Sequence, residues 1–397
     1  MEKVKKDKMF TSVSVGAATV WFSTHCGAGF ASGTQELNYF ANHAWYGPFL
    51  PLLTIAIIAI TYYVGVETAR QTGKWDYHSW SLEAYKPIGT VGSILLEIAV
   101  VVTVIAASAA CISAGANLGV QSFGWPMWVG SVLMFAIIVV LSIFGEKVVR
   151  NNAMIMTIGI IIIVLVVLIA GLIKFGPVIG QLISDRYVNP ASAKWGITGA
   201  VGTTPGNFGN AFLWALTYAG FQMGIIAGSA SAFKGAKSKK ESKGFAILGY
   251  ILNAAMLTGV CFLLLGGMPG IWTDKAARTL PTLYMVGQLN MPILKVLYPI
   301  MLFLALVTTA VGLTFGMVER LSPYMFKKMS NVAIKKGIIA LGVLLVCWAV
   351  STLGLMWVVQ VAYKYLGIFN WFAVILPLWI FGFKNIKARD KAAKVSE

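Results

Sequence analysis

The chain has 397 residues, of which 58% are hydrophobic and 11% are charged, and its mean hydropathy is +0.78. Soluble domains are about 45–50% apolar and about 25% charged, so this composition excludes an ordinary soluble domain and predicts a polytopic membrane protein. The formal net charge of +17 would point to nucleic acid in a soluble protein. In a membrane protein the positions of the charges matter more than their sum, and we expect the lipid bilayer, not nucleic acid, as the partner.

Ten apolar stretches are long enough to cross a bilayer, since a helical span needs about 20 mainly apolar residues. They lie near residues 11–43, 48–69, 88–117, 126–144, 152–173, 208–232, 245–266, 291–316, 337–354 and 356–382. Residues 1–10 are a predicted cytoplasmic N-terminus, and residues 383–397 a predicted basic cytoplasmic tail. A cleaved signal peptide is the alternative for the first stretch, but the apolar run continues past Gly33 to Phe40, which favours a span.

The positive charges alternate along the chain with the predicted spans. Most of the 31 Lys and Arg residues lie in segments on the same side as the N-terminus. Because an excess of Lys and Arg marks the cytoplasmic side, the alternation predicts ten spans with both termini in the cytoplasm. We expect the protein in a bacterial inner membrane. All four cysteines fall in predicted spans, where we expect buried side chains without disulfides.

The ten predicted spans divide into two halves of five. Residues 11–173 form the first repeat, residues 174–207 an external connecting segment, and residues 208–382 the second repeat. Because five is an odd number, the second half enters the membrane from the opposite side. The two halves are therefore predicted to have inverted topology, an arrangement that is common among secondary transporters.

A glycine pattern, Ala-Gly-Phe-x-x-Gly, occurs at residues 28–33 and again at residues 219–224, in the first span of each half. A helix break at bilayer depth is tolerated only where it is buried in protein or lines a watery cavity. Paired breaks at corresponding positions of two halves indicate a transporter's substrate site. The alternative is that the small residues only allow close contact between helices.

The first break, Cys26-Gly27-Ala28-Gly29-Phe30, and the order of the two inverted halves resemble the LeuT-like transporters of the amino acid–polyamine–organocation superfamily. The residues from Gly27 to Glu36 are most similar to the YkvI-type bacterial membrane proteins. The resemblance implies an all-α fold of ten transmembrane helices, a LeuT-like 5+5 inverted repeat with broken helices 1 and 6. The chain departs from the amino acid permeases of the superfamily in stopping at ten spans, which weakens any transfer of their substrates.

The two breaks offer groups that can hold a substrate. Where a helix unwinds, the following half-helix presents free N–H groups and a positive partial charge. As the resemblance implies, we expect a substrate carboxylate at the backbone of the first break, which contains Gly27, Ala28, Gly29, Phe30 and Gly33. In the second break we expect Tyr218 and Phe221 to pack on the substrate and Gln222 to form a hydrogen bond. Ordinary helix packing is the alternative for all of them.

The resemblance also implies a sodium site between the first and eighth spans, with sodium as the coupling ion and no other cofactor. Sodium-coupled members of this fold bind the ion through an Ala-x-x-Thr-Thr segment and carbonyls of the first break. The matching residues are Ser23, Cys26, Ala305, Thr308 and Thr309. Hard cations favour such oxygen ligands. The alternative is that the threonine hydroxyls bond back to their own helix.

Ionisable residues within spans are costly and mark functional sites by default. Glu97 lies about ten residues into the third span, near mid-depth by the helical rise, where it is predicted to bind a cationic group, carry a proton or pair structurally. Lys364 is predicted to close an external gate with Glu36, or alternatively to extend its amine toward water. Glu67 is expected to form a solvated pair with Arg70.

Together these features predict a secondary transporter that imports a small amino acid-like or related nitrogenous solute with sodium, by alternating access. The alternative is a proton-coupled or exchange carrier of an organic cation, such as a betaine or amine, that uses Glu97. A channel or a non-transporting sensor ranks below both. The sequence has neither a His-Glu-x-x-His nor a Gly-x-Ser-x-Gly motif, so we do not expect an enzyme. Substrate identity, stoichiometry and oligomeric state stay open.

Overall fold

The computed structural model describes residues 8–25, 27–144, 146–195 and 201–396. Within these ranges, eight helical stretches are long and apolar enough to cross a membrane. They are Gly47–Thr72, Gly89–Phe123, Met127–Phe144, Ile158–Ser184, Lys239–Leu265, Pro292–Leu321, Val332–Ser351 and Leu355–Val395. The chain is therefore a multi-pass membrane protein. The first and sixth predicted spans are absent from this set because each is interrupted, and the total of ten stays a prediction.

The first half of the chain forms eight helices in the described residues. They are α1 (Ser12–His25), α2 (Ala28–Ser32), α3 (Thr34–Glu36), α4 (Leu50–Thr72), α5 (Tyr77–Ala84), α6 (Gly89–Phe123), α7 (Met127–Phe144) and α8 (Glu146–Ser184). A π-helical turn, Leu37–Ala41, extends α3, and a 3-10 turn, Gly47–Phe49, leads into α4. α8 runs to Ser184, so the helix continues beyond residue 173, where the fifth span is predicted to end.

Eleven helices of the second half lie in the described residues. They are α9 (Phe208–Phe221), α10 (Ala227–Ala232), α11 (Lys239–Leu265), α12 (Gly270–Thr273), α13 (Lys275–Thr279), α14 (Pro281–Gln288), α15 (Pro292–Leu321), α16 (Val332–Ser351), α17 (Leu355–Trp357), α18 (Tyr363–Asn370) and α19 (Phe383–Ser396). π-Helical turns, Val358–Ala362, Trp371–Ile375 and Leu378–Gly382, separate the last three helices. The residues predicted as a tail thus continue the last span as a helix.

Two short antiparallel strands lie in the connection between the halves, β1 (Ser192–Ala193) and β2 (Val201–Thr204). Burial separates central helices from peripheral ones. Of the most apolar part of Gly47–Thr72, 67% is buried inside the protein, against 17% for Met127–Phe144. α4, α6, α11 and α15 pack with α9 and α18 around the interrupted segments. The helices α7, α8 and α16 form the periphery, where apolar side chains face lipid.

The start of α11 fixes the start of α1. Ser238 and Glu241 form a capping box at the N-terminus of α11. The Glu241 carboxylate also accepts a hydrogen bond of 2.8 Å from the Thr11 hydroxyl, directly before α1. α1 then packs along α11, which brings its C-terminal end to the centre of the protein.

Candidate substrate site

The first interrupted segment breaks at two glycines. α1 ends at His25, and the chain resumes at Gly27 with extended backbone angles, φ −71° and ψ −162°. The second break is at Gly33, whose φ of +77° lies in the left-handed region that favours glycine. The Thr282 hydroxyl occupies the place that a Cβ at Gly33 would need. The predicted sodium ligand Cys26 lies outside the described residues.

The second interrupted segment changes its helical pitch without a gap. α9 ends at Phe221, a 3-10 turn covers Gln222–Ile225, and α10 follows. At this point Gly220 lies so close to the Gly367 carbonyl of α18 that a Cβ would clash with it. The Asn370 amide donates a hydrogen bond of 2.9 Å to the Gly220 carbonyl. The second break is therefore joined to the last span at the level of the backbone.

The two breaks meet at a cavity of about 60 Å³. It is lined by Thr24, His25, Gly27, Gly29, Gln35, Thr103, Ala107, Phe221, Gln222, Ile225, Thr309, Leu313 and Tyr363. A volume of this size holds only a few water molecules. Larger grooves of about 480 and 720 Å³ lie elsewhere on the protein and touch neither break. In this conformation, the central cavity is therefore small.

Five of the predicted site residues line the cavity: Gly27, Gly29, Phe221, Gln222 and Thr309. Three other predicted site residues lie behind the residues that line the cavity. Phe30 is buried, with its ring centroid 6.1 Å from that of His25, Gly33 contacts Thr282, and Tyr218 bonds to His25. Ala28 is the first residue of α2.

A hydrogen-bond chain connects the two breaks to α11. His25 Nδ1 lies 2.6 Å from the Asn253 side-chain oxygen, and His25 Nε2 lies 2.8 Å from the Tyr218 hydroxyl. Asn253 donates its amide hydrogen to the Gly249 carbonyl, so its oxygen faces the histidine. His25 Nδ1 therefore carries the hydrogen, and Nε2 accepts one from Tyr218. All three side chains are buried.

Sequence reasoning did not select several residues of the cavity wall. Gln35 reaches back over the first break, since its side-chain oxygen fills the space that a Cβ at Gly29 would take. Tyr363 stacks on Phe221 with ring centroids 3.8 Å apart. Thr103 comes from α6. A glutamine inside an apolar stretch was a usable signal for Gln35, whereas Tyr363 and Thr103 carry none in the sequence.

Of the predicted sodium-site residues, one lies beside the first break, and two others donate hydrogen bonds to their own helices. Thr309 lies beside the first break, with its Cγ2 and Oγ1 3.5 and 3.9 Å from the ideal Cβ position of Gly27. The Thr308 hydroxyl donates to the Leu304 carbonyl at 2.8 Å, and the Ser23 hydroxyl donates to its own helix at 3.0 Å. Ala305 is buried one turn before Thr309. Donation leaves the Thr308 oxygen lone pairs free to bind a cation.

The structure corrects the placement of Glu97. It is the ninth residue of α6, near one end of that helix, and its side chain is 43% exposed. Its carboxylate pairs with the Arg320 guanidinium at 3.1 Å, and the guanidinium lies over the Tyr77 ring. Mid-depth was wrong because α6 extends to Phe123, beyond the predicted end of the span. Glu97 is an ion-pair residue outside the cavity wall, as the structural alternative expected.

The predicted gate between Glu36 and Lys364 is not formed in this conformation. Both side chains are buried, and neither the Glu36 carboxyl oxygens nor Lys364 Nζ has a hydrogen-bond partner within the described ranges. The Lys364 amine lies instead near the rings of Tyr365 and Trp214, at 4.8 and 5.9 Å. Burying a carboxyl or amino group in apolar surroundings without a partner costs free energy.

The expected pair of Glu67 and Arg70 is present, but it is buried. Two guanidinium nitrogens of Arg70 donate to the two oxygens of Glu67 at 2.8 and 2.6 Å. The Ser242 hydroxyl donates to the same carboxylate at 2.6 Å, and Glu67 is fully buried. The prediction of a solvated pair was wrong because α11 covers this end of α4.

Solved structures of similar fold include membrane transporters. A Na+-coupled sialic acid symporter aligns with 94% of this chain and 78% of its own, at a TM-score of 0.56 and 15% identity. MhsT in complex with L-phenylalanine aligns with 96% of this chain and 98% of its own, at a TM-score of 0.57 and 13% identity. The manganese transporter of Eremococcus coleocola aligns with 94% of this chain and 84% of its own, at a TM-score of 0.59 and 13% identity. The chain has the LeuT-like fold.

No protein-family model and no curated protein matches the chain. The helical structure and the solved structures of similar fold confirm the predicted all-α fold class. Membership of the YkvI-type group stays a prediction. Within the part of the chain that the structure describes, no group of three or more His, Cys, Asp or Glu side chains is placed to hold a metal ion.

Proposed function

We propose that the protein is a secondary transporter that imports a small amino acid-like or related nitrogenous solute by alternating access, with sodium as the coupling ion. The observation that carries the proposal is the central cavity, to which both interrupted segments contribute. Paired broken helices at one central site are the arrangement expected of a carrier that opens to each side in turn. We place it in a bacterial inner membrane with both termini in the cytoplasm, on the charge alternation.

The chemistry of the cavity wall suits a small polar solute without a large net charge. It offers side-chain amides from Gln35 and Gln222, hydroxyls from Thr103 and Thr309, and the stacked rings of Phe221 and Tyr363. None of the described residues that line the cavity carries a carboxylate or ammonium group. A zwitterion fits such a wall, because backbone N–H groups at the first break can take its carboxylate and oxygen atoms can take its ammonium group.

Sodium coupling is supported by Thr309, which stands beside the first break, and by Thr308 one position before it. The similar structures include a Na+-coupled symporter, which agrees with this proposal. They also include a manganese transporter, so Mn²⁺ belongs among the ligands to be tested. Glu97 supports no separate carrier of organic cations, since Arg320 holds its carboxylate.

A thermal-shift screen of the detergent-purified protein tests the proposal. Amino acids, betaines, amines and Mn²⁺ are added in sodium buffer and again in choline buffer. A ligand at about 100 times its Kd stabilises the folded protein by about 2.7 kcal/mol. We expect an amino acid-like compound to raise the unfolding midpoint in sodium only. A shift with amines or Mn²⁺ alone would contradict the substrate class, and equal shifts in both buffers would contradict sodium coupling.

Matched variants locate the two sites. Gln222→Ala should remove the ligand shift, whereas Gln181→Ala, on an exposed position of α8, should leave it unchanged. Thr309→Ala and Thr308→Ala should each abolish the ligand shift that depends on sodium. Thr19→Ala is their control, because the Thr19 hydroxyl also donates to its own helix, at 3.0 Å, but lies outside the cavity wall. If Thr308→Ala behaves like Thr19→Ala, Thr308 only bonds its helix.

A further inference from the structure

A carboxyl group is buried in the half-segment that follows the first break. Glu36 ends α3 and is 0% exposed. Neither of its side-chain oxygens has a hydrogen-bond partner in the described part of the chain. Every residue from 29 to 44 is buried, so water does not reach the carboxyl group in this conformation. An ionised, unpaired carboxylate in such a place would cost several kcal/mol of desolvation free energy, a large part of a protein's net stability.

Among the described residues, the groups around Glu36 do not supply a positive charge. The titratable side chains that interact electrostatically with Glu36 include the Cys261 thiol of α11 and the Tyr298 hydroxyl of α15. The Tyr298 hydroxyl donates to the Ala31 carbonyl. On the adjoining π-helical turn, the Tyr39 hydroxyl is turned away to donate to the Val359 carbonyl. Lys364 faces aromatic rings.

We propose that Glu36 is a proton-binding site of the transport cycle. The carboxyl group holds a proton while residues 29–44 are packed closed, and it releases that proton to water when this half-segment opens. On opening, the O–H bond breaks and the proton passes to solvent on the open side; on closure, the same oxygen takes a proton back from that side. This inference rests on the proposed alternating access, because it assigns opening to the half-segment that carries Glu36.

The position of Glu36 connects its charge to the substrate cavity. The preceding residue, Gln35, lines the cavity and covers Gly29, while Glu36 faces α11 and α15. A charge on Glu36 would drive this short helix out of its apolar surroundings and would withdraw Gln35 with it. Closure over the substrate therefore requires the proton.

The test compares Glu36→Gln with the wild-type protein by thermal unfolding in detergent between about pH 5 and pH 8. An unfolded glutamate loses its proton above about pH 4.3, whereas the closed protein keeps it. Each further pH unit should therefore lower the folded-to-unfolded ratio of the wild type by up to tenfold relative to Glu36→Gln. The variant should gain stability over the wild type as the pH rises. Parallel profiles of the two proteins would overturn the proposal.

Two controls keep this result interpretable. Glu97→Gln removes a paired and partly exposed carboxylate and should follow the wild-type pH profile. Glu36→Met, neutral and of similar volume, should behave as Glu36→Gln does and replaces it if that variant does not fold. A pH profile of Glu36→Met that runs parallel to the wild type would equally reject the proton site.

A sodium titration at constant pH separates the proton from a metal cation. If sodium neutralised Glu36, sodium would raise the wild-type midpoint and Glu36→Gln would lose that rise. That outcome overturns the proton assignment. None of these measurements needs a substrate, so failure of the ligand screen and failure of the proton site are distinguishable.

Discussion

The two interrupted segments are held in place by different means. The backbone of the second break is in close contact with the last span. Gly220 meets the Gly367 carbonyl, and the side-chain amide of Asn370 donates a hydrogen bond to the Gly220 carbonyl. The first break is held by side chains, among them the hydrogen bonds of His25 and the amide of Gln35 over Gly29. Side-chain contacts can exchange partners during a conformational change, whereas an interlocked backbone moves only as a unit with its neighbour.

Burial distinguishes the two halves of the first segment as well. Before the break, buried positions of α1 alternate with exposed ones such as Val15, Val20 and Thr24. After it, residues 29–44 are all buried. Because Thr24 also lines the cavity, the cavity reaches the surface along α1 and is closed on the side of Glu36. The first segment is thus the candidate moving part, and the second break with the last span is its fixed partner.

The largest effect is expected from Gly220→Ala. The added Cβ would clash with the Gly367 carbonyl, which is backbone and cannot rotate away. Overpacking of this kind costs about 1–3 kcal/mol, occasionally more. The unfolding midpoint in detergent should fall accordingly. Gly228→Ala is the matched control, since nothing lies within 4 Å of its ideal Cβ position in α10. Equal midpoints for the two variants would show that the interlock is not a tight contact.

A smaller loss is expected from Tyr218→Phe, which removes the hydroxyl that connects the second break to His25. A buried polar atom left without its partner costs about 1–3 kcal/mol, here the His25 Nε2 atom. Thermal unfolding again provides the measurement. In the matched variant Tyr85→Phe, the lost hydroxyl has no partner in the described residues, so its midpoint should stay or rise. If Tyr218→Phe is equally harmless, the chain of hydrogen bonds does not fasten the first break.

The breaks themselves were predictable from the sequence. The pattern Ala-Gly-Phe-x-x-Gly placed them at residues 28–33 and 219–224, and the structure interrupts both segments there. Glycine carries this information because a side chain is excluded at both places, by a positive φ at Gly33 and by the close approach of the Gly367 carbonyl at Gly220. Gly27, Gly29, Phe221 and Gln222, which lie within this pattern or directly beside it, line the cavity.

Residues whose role depends on packing between distant elements were not predictable in this way. Tyr363 meets Phe221 only once the last span has packed against the second break. Glu97 was assigned to mid-depth because hydropathy does not fix the end of a helix that continues past the apolar core, and its partner Arg320 lies far along the chain. A charged residue in an apolar stretch indicates a free-energy cost of burial. The sequence alone does not show which partner or which exposure to water offsets that cost.

The smallest effect is expected at that ion pair, outside both breaks. The Arg320 and Glu97 side chains are 26% and 43% exposed, so water and salt screen their attraction. Pairs of this kind contribute about 0.2–1 kcal/mol. A double-mutant cycle of Glu97→Gln and Arg320→Gln should yield a coupling energy in that range, which decreases as salt is added. A coupling several times larger, or loss of ligand binding in Glu97→Gln, would mean that Glu97 reaches the cavity in another conformation. The contrast between a fixed second break and a mobile first one would then have to include α6 among the moving parts.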